Sequence, residues 1–163
     1  MPENNLFPPD LYSRNRTIAL FIRELQEADA KKVLQTGQTQ LFDASDSGVL
    51  TGTESEKFRV LDVGGYGGKL QQFLPAENKV TVFDQKQRPM DESAETYGQG
   101  DARKLPFHDG AFEVVVASDL LEHVAETDRK KVLEELYRVS KKYVILGAPF
   151  QKNEVEKAEQ LVR

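Results

Sequence analysis

From Phe58 onward, apolar runs of strand length alternate with segments of helical spacing, and this alternation restricts the fold more than any other feature of the chain. Phe58 to Val63 reads as a buried strand. Lys69 to Leu74 has room for a helix before Pro75. Lys79 to Phe83 is a second strand that ends at Asp84. Tyr97 to Ala102 reads as a short strand leading into Leu105-Pro106-Phe107. Phe112 to Ala117 is a further strong strand. Thr127 to Val139 carries Val132, Leu133, Leu136 and Val139 on one helical face, and Lys142 to Leu146 is again a strand. Asn153 to Val162 has the pattern of another amphipathic helix. Strands that alternate with helices call for a mostly parallel sheet with helices on both faces. The expected fold is therefore α/β, in three αβα layers.

The segment before Phe58 adds a helix and a loop. Residues 1–10 carry three prolines and read as an irregular arm. From Asp10 to Leu34, Ile18, Phe21, Ile22 and Leu25 recur at helical spacing. Residues 36–57 are rich in Thr, Ser, Gly and Asp and read as a loop. At 163 residues the chain is one domain by size, so 1–57 is read as part of the same domain as the core at 58–163. No apolar run approaches membrane-spanning length, and the start Met1-Pro2-Glu3-Asn4-Asn5 does not read as a signal peptide. There is no cysteine, which fits a cytoplasmic protein and removes thiolate metal sites. A net charge of −5 disfavours a nucleic-acid partner, which would need a basic face.

In parallel α/β sheets, ligands bind beyond the carboxyl ends of the strands, so the residues following each strand are the ones to inspect. After the first strand comes Asp62-Val63-Gly64-Gly65-Tyr66-Gly67-Gly68, with four glycines in five positions. Asp84 follows the second strand, twenty residues beyond Gly64. A carboxylate there can accept both hydroxyls of a ribose. Asp101 and Ala102 precede Leu105-Pro106-Phe107, where a carboxylate could take an adenine amino group and apolar neighbours could pack the ring. The Phe112–Ala117 strand leads into Ser118-Asp119-Leu120-Leu121-Glu122-His123. A phosphate-cradling loop would need glycine at 63 and a hydroxyl at 70, where Val63 and Leu70 stand. A dinucleotide fingerprint starting at Gly65 meets Leu70 at its third glycine, and one starting at Gly64 meets Tyr66 at its second. Asp62 would also repel a pyrophosphate. Acidic strand ends suit a ligand with a sulfonium, an ammonium and no phosphate.

These residues also carry a resemblance. The glycine loop resembles the first motif of the class I S-adenosylmethionine-dependent methyltransferases. Gly100-Asp101-Ala102-Arg103-Lys104-Leu105-Pro106-Phe107 looks like the adenine-contacting segment of the type 11 branch. Phe112-Glu113-Val114-Val115-Val116, followed by Leu120-Leu121-Glu122-His123-Val124, is similar to that branch's fourth strand and the turn after it. Arg138-Val139 and Tyr143-Val144-Ile145-Leu146 continue the match, which covers roughly residues 58–150. The resemblance implies a Rossmann-like fold and S-adenosylmethionine as cofactor. It implies that Asp62 and the loop, through Gly64, Gly65, Tyr66 and Gly68, line the methionine end, with the glycines leaving bare backbone for cofactor atoms. Asp84 would hold the ribose, Asp101 and Ala102 the adenine, and Ser118 and Asp119 would lie beside the sulfonium and ammonium.

The sequence departs from the family at Tyr66, where a glycine is expected. The family core has seven strands, and the 13 residues after Phe150 do not suffice for its final pair. The core is thus read as C-terminally truncated, and the edge of the last strand as open to another chain, a homodimer included. His123 is the candidate base for an acceptor that needs one. His108, His123, Asp101 and Glu122 match no metal-ligand spacing, and no metal is assigned. The expected function is methyl transfer to a small-molecule, lipid or glycan acceptor. The alternative is a domain that binds S-adenosylmethionine or S-adenosylhomocysteine without catalysis, or a scaffold.

Overall fold

A computed structural model describes residues 9–36, 57–66, 69–87 and 96–147, with the side chains of the first segment described for 12–32. The elements are α1 (Pro9–Thr36), β1 (Arg59–Val63), β2 (Lys79–Asp84), β3 (Thr96–Gln99), β4 (Phe112–Ser118), α2 (Glu126–Val139) and β5 (Ser140–Gly147). Short 3₁₀ turns stand at Lys69–Phe73 and Leu121–His123. The five strands form one sheet in the order β3-β2-β1-β4-β5, and every pairing is parallel. Val60 lies opposite Val80 on one side and Val114 on the other, which centres β1 in the sheet. The chain runs outward from β1 to β3 and then returns across β1 to β4. The carboxyl ends of β1 and β4 therefore flank the switch point of the sheet, where open α/β folds leave a crevice.

The strands alternate between two cores, as strand geometry requires. Val60, Val80, Val82, Val114 and Val116 face Ile18, Ala19 and Ile22 of α1, together with Leu70 and Leu74. Leu61, Val63, Val115 and Ala117 face Val132, Leu136 and Val139 of α2. The three αβα layers follow directly. Two expected core residues point elsewhere: Phe21 and Leu133 are exposed, because the buried stripes run through Ile18–Ile22 and Val132–Leu136–Val139. A buried polar pair also ties α1 to the sheet. Gln26 donates to Asn78 Oδ1 at 2.8 Å, and that oxygen also accepts the Phe58 N–H at 3.0 Å. Toward the end of α1, Asp29 accepts from Lys142 at 2.9 Å and from Tyr143 at 2.8 Å, both on β5.

Several boundaries differ from the sequence reading. The expected helix at 69–74 is a 3₁₀ turn, because Gln71 is committed to β2: it donates to the Asn78 carbonyl and accepts from the Val80 N–H. The expected strand at 97–102 is only Thr96–Gln99, and from Gly100 the chain turns. The 37–56 part of the expected loop, Gly67–Gly68 and the expected helix at 153–162 lie outside the described residues. Among the described residues, β5 has a strand on one side only, and no helix is long and apolar enough to cross a membrane.

Candidate functional site

At the carboxyl ends of β1, β2, β3 and β4 lies a cleft of about 1040 Å³. Its walls bring together Asp62, Gly64, Gly65, Tyr66, Asp84, Asp101, Ala102, Ser118, Asp119 and His123, residues spread over three crossovers in the sequence. Of the expected site residues, Gly68 alone lies outside the described residues.

The glycine loop begins with backbone that needs glycine. Gly64 has φ +80°, a left-handed conformation that side chains disfavour, and its N–H donates to the Phe83 carbonyl at 2.8 Å. Gly65 is bare for another reason. A Cβ built there would stand 2.2 Å from Asp62 Oδ2. The space where a Gly65 side chain would stand is thus filled by the carboxylate three residues earlier. Tyr66 is about half exposed at the rim, and the Lys86 ammonium sits 4.9 Å from its ring centroid.

Asp62 and Asp84 are both buried. Burial, with the neighbouring Asp84 charge as a smaller cause, pushes the Asp62 carboxyl up to about 7. Asp84 accepts the Lys86 N–H on Oδ1 at 2.8 Å, which shapes the turn after β2. Its Oδ2 meets no donor among the described residues. No cationic side chain pairs with either carboxylate among the described residues.

Asp101 is held quite differently. Arg103 donates Nε and Nη2 to its carboxylate at 2.6–3.0 Å, and the Arg103 N–H reaches Oδ1 at 2.8 Å. Hydrogen bonds from this guanidinium, aided by the backbone, lower the Asp101 carboxyl to about 2. Arg103 also reaches Asp128 of α2 at 2.6 Å. The loop after Asp101 is pinned to the same helix. Arg138 donates to the carbonyls of Leu105 and Phe107 at 3.0 and 2.7 Å, and Glu135 accepts the Leu105 N–H at 2.7 Å. Phe107 then packs edge-on against Phe83 and Phe112.

The fourth wall comes from the end of β4. The Ser118 hydroxyl is buried without a hydrogen-bond partner, opposite Gly147 of β5. Asp119 takes φ 53°, which is uncommon for a residue with a side chain, and its N–H donates to the Gly147 carbonyl at 2.8 Å. Its carboxylate pairs with Arg14. His123 is exposed on its turn and faces the cleft.

Sequence reading did not assign Arg14 and Asn15 of α1, or Arg103 and Asp128, to this site. The pairing of Arg103 with Asp101 had a local signal, since a two-residue separation permits an Asx turn closed by the Arg103 N–H, with the guanidinium reaching back to the same carboxylate. Arg14 had none, because its partner lies more than a hundred residues away.

The donor set suits an adenosyl sulfonium. Among the described residues, the cleft brings together two buried carboxylates without cationic partners and a buried Ser118 hydroxyl without a hydrogen-bond partner. Among curated proteins, none matches this chain. Solved structures give fold-level likenesses. The PH0226 protein from Pyrococcus horikoshii OT3 is 22% identical, with a TM-score of 0.51, over 67% of this chain and 54% of that one. The YcgJ protein from Bacillus subtilis is 21% identical, with a TM-score of 0.49, over 66% of this chain and 52% of that one. A SAM-dependent methyltransferase from Methanosarcina mazei is 19% identical, with a TM-score of 0.47, over 64% of this chain and 58% of that one. The chain thus spans little more than half the length of these structures. A family profile described as a methyltransferase domain matches residues 61–146, more than half of the chain, from within β1 into β5. The chain therefore belongs to this methyltransferase-domain family, the type 11 branch, whose cofactor is S-adenosylmethionine.

Proposed function

We propose that this chain is the cofactor-binding core of an S-adenosylmethionine-dependent methyltransferase acting on a small-molecule, lipid or glycan acceptor. The observation that carries the proposal is the convergence of Asp62, Asp84 and Asp119, from three strand ends, on one cleft. In this reading Asp84 accepts the ribose hydroxyls through its open oxygen, and Ala102 flanks the adenine. Asp62 and Asp119 supply negative charge to the cationic end, and Ser118 supplies an unused hydroxyl. Gly64 and Tyr66 set the course of the loop along the methionine portion, and Gly68 belongs to the same assignment from its sequence position. Bound S-adenosylmethionine supplies an already activated methyl group, so the protein's task is to hold the acceptor in line at near-attack distance. His123, exposed at the mouth, is placed to take a proton from a hydroxyl acceptor. A second copy of the chain pairing along the edge of β5 that has no strand among the described residues belongs to the same proposal, and light scattering tests it.

The primary test is a melting panel with S-adenosylmethionine, S-adenosylhomocysteine, NAD and ATP. A ligand specific to the folded state adds roughly 2.7 kcal/mol at about 100 times its dissociation constant. Stabilisation by the two adenosyl compounds alone is expected. Stabilisation by NAD alone would overturn the reading. Methyl-transfer assays on glycan, lipid and small-molecule acceptors then address the acceptor. His123→Ala should lower turnover with hydroxyl acceptors while leaving cofactor binding intact.

A further inference from the structure

We infer that Arg103 is a specificity-determining residue at the base end of the cleft: it occupies the acceptor sites of Asp101, so that the cleft takes a purine nucleoside ligand without reading the purine's 6-amino group. The inference rests on the proposed cofactor reading and deepens it at the base.

An ionised carboxylate has two oxygens and about four lone-pair sites. At Asp101 these are filled by one residue. Oδ1 accepts the Arg103 N–H at 2.8 Å and Nε at 3.0 Å, and Oδ2 accepts Nε at 2.9 Å and Nη2 at 2.6 Å. A purine amino group is a neutral donor. To reach Asp101 it would have to displace a charged donor held in a bidentate fork, which is the stronger partner for a carboxylate. Asp101 and Arg103 are about half exposed, and an exposed ion pair by itself opens easily. This pair has a third anchor. Arg103 Nη1 donates to Asp128 Oδ2 at 2.6 Å, and Asp128 lies in the first turn of α2, with its own N–H bonded to the Ala125 carbonyl at 2.8 Å. Two residues beyond Arg103, the Leu105 N–H is held by Glu135 and the Leu105 carbonyl by Arg138, both on the same helix. Swinging Arg103 aside would therefore break its contacts with two carboxylates while the backbone that follows stays pinned.

What a base meets instead follows from the same geometry. A guanidinium carries five N–H donors. Nε and one N–H on each Nη are engaged, and the remaining donors meet no acceptor among the described residues. Asp101, Arg103 and Asp128 all line the cleft. The polar wall there offers donors, where an unpaired Asp101 would offer acceptors. Purine ring nitrogens are acceptors and suit such a wall, whereas an exocyclic amino group does not. Ala102, Val124 and Val132 line the same cleft and belong to the core around α2. They give the ring face an apolar surface, and packing on a ring face carries little information about its 6-position.

The test is calorimetry on the full chain with S-adenosylhomocysteine and its 6-deamino analogue, which carries purine in place of adenine and keeps every ring nitrogen. Wild type should bind the two within about threefold of each other. Arg103→Met keeps the length of the side chain and removes its donors. The released Asp101 should then favour S-adenosylhomocysteine by about tenfold or more, the scale of a hydrogen bond to a charged group. Adding Asp101→Ala to that variant should cancel the gain. Arg103→Lys has one ammonium, which does not cover both oxygens, and should show an intermediate preference; it carries the test should the methionine variant not fold. A larger preference for S-adenosylhomocysteine in wild type would overturn the inference while leaving the cofactor reading standing. The same holds if Arg103→Met changes the affinity of both ligands alike, or if its new preference survives the loss of Asp101. Binding of neither ligand to wild type would overturn the cofactor reading and the role of Arg103 with it.

Discussion

Asp62 and Asp84, on the neighbouring strands β1 and β2, and Asp101 and Asp119, beyond the strands β3 and β4 that flank them, share a residue type and a position at or just after a strand end. Their environments are opposite. The first pair is buried, without cationic partners among the described residues, and close enough for one charge to disfavour the other. The second pair is more exposed, and each carboxylate has its own arginine. Burying a carboxylate without a counter-charge is destabilising, so a fold that keeps two of them holds negative charge in reserve for a ligand. The arginine-paired carboxylates instead contribute to the shape of the walls, and Asp119 retains capacity for a further partner.

The largest expected effect follows from Asp62. Its folded-state value of about 7 lies above the ordinary 3.8. The folded state therefore binds a proton more tightly than the unfolded state. The associated stabilisation is full below about pH 4 and is lost as the pH rises through about 7. Above that the penalty is constant, with an upper limit of roughly 4 kcal/mol for a shift of this size. Asp62→Asn removes the titration. The variant should gain stability relative to wild type as the pH is raised from 4 to 8, measured by urea denaturation at each pH. A difference that does not vary with pH would place Asp62 with the neutralised pair. S-adenosylhomocysteine affinity in wild type should rise over the same range as Asp62 acquires its charge.

Asp84→Ala comes next. Asp84 offers an open oxygen in a buried setting, and a hydrogen bond to a charged group contributes about 1.5–3 kcal/mol. Calorimetry should show adenosyl-ligand affinity falling by tenfold or more in a folded variant. Unchanged affinity would remove Asp84 from the site.

Asp101→Asn sharpens the contrast from the other side. Both of its oxygens are already engaged by Arg103, so its loss should weaken the ligand less than the loss of Asp84. Here the linkage has the opposite sign. Arg103 holds Asp101 at about 2, so its stabilisation is present above the ordinary 3.8 and lost as the pH falls toward 2. Both partners are about half exposed, so solvent and salt screen the effect. An affinity loss equal to that of Asp84→Ala would break the comparison and return Asp101 to direct ligand contact.

How much of this was legible in the sequence depends on the range of the interaction. The parallel sheet was readable because buried strands such as Phe112–Ser118 are apolar on both faces, a local signature. The strand-end carboxylates were readable because their position follows from the strands. What each carboxylate meets was not. Arg103 closes onto Asp101 from two residues away, yet the same dipeptide spacing is compatible with many turns. Arg14 reaches Asp119 only because α1 packs across the sheet. That the Asp62 carboxylate occupies the place of a Gly65 side chain was likewise not legible. The short turn at Lys69–Phe73 escaped because Gln71 gives its side chain to the backbone around Asn78 and Val80.

The smallest expected effect concerns Tyr66, where the loop departs from its family. A glycine is required where the backbone adopts a conformation that side chains disfavour or where a Cβ would meet a neighbour; positive φ occurs at Gly64, and the clash at Gly65, not at Tyr66. The Tyr66 ring is about half exposed and lies against Lys86. Tyr66→Gly therefore removes an exposed cation–π contact of about 0.5–1 kcal/mol and adds a similar entropic cost for ordering the glycine. Stability should drop slightly, by melting or urea titration, while S-adenosylhomocysteine affinity stays within about threefold. Markedly tighter binding would mean that the ring obstructs the cleft. A large loss would mean that it packs on the ligand, and the exposed side of the cleft would then contribute as much recognition as the buried one.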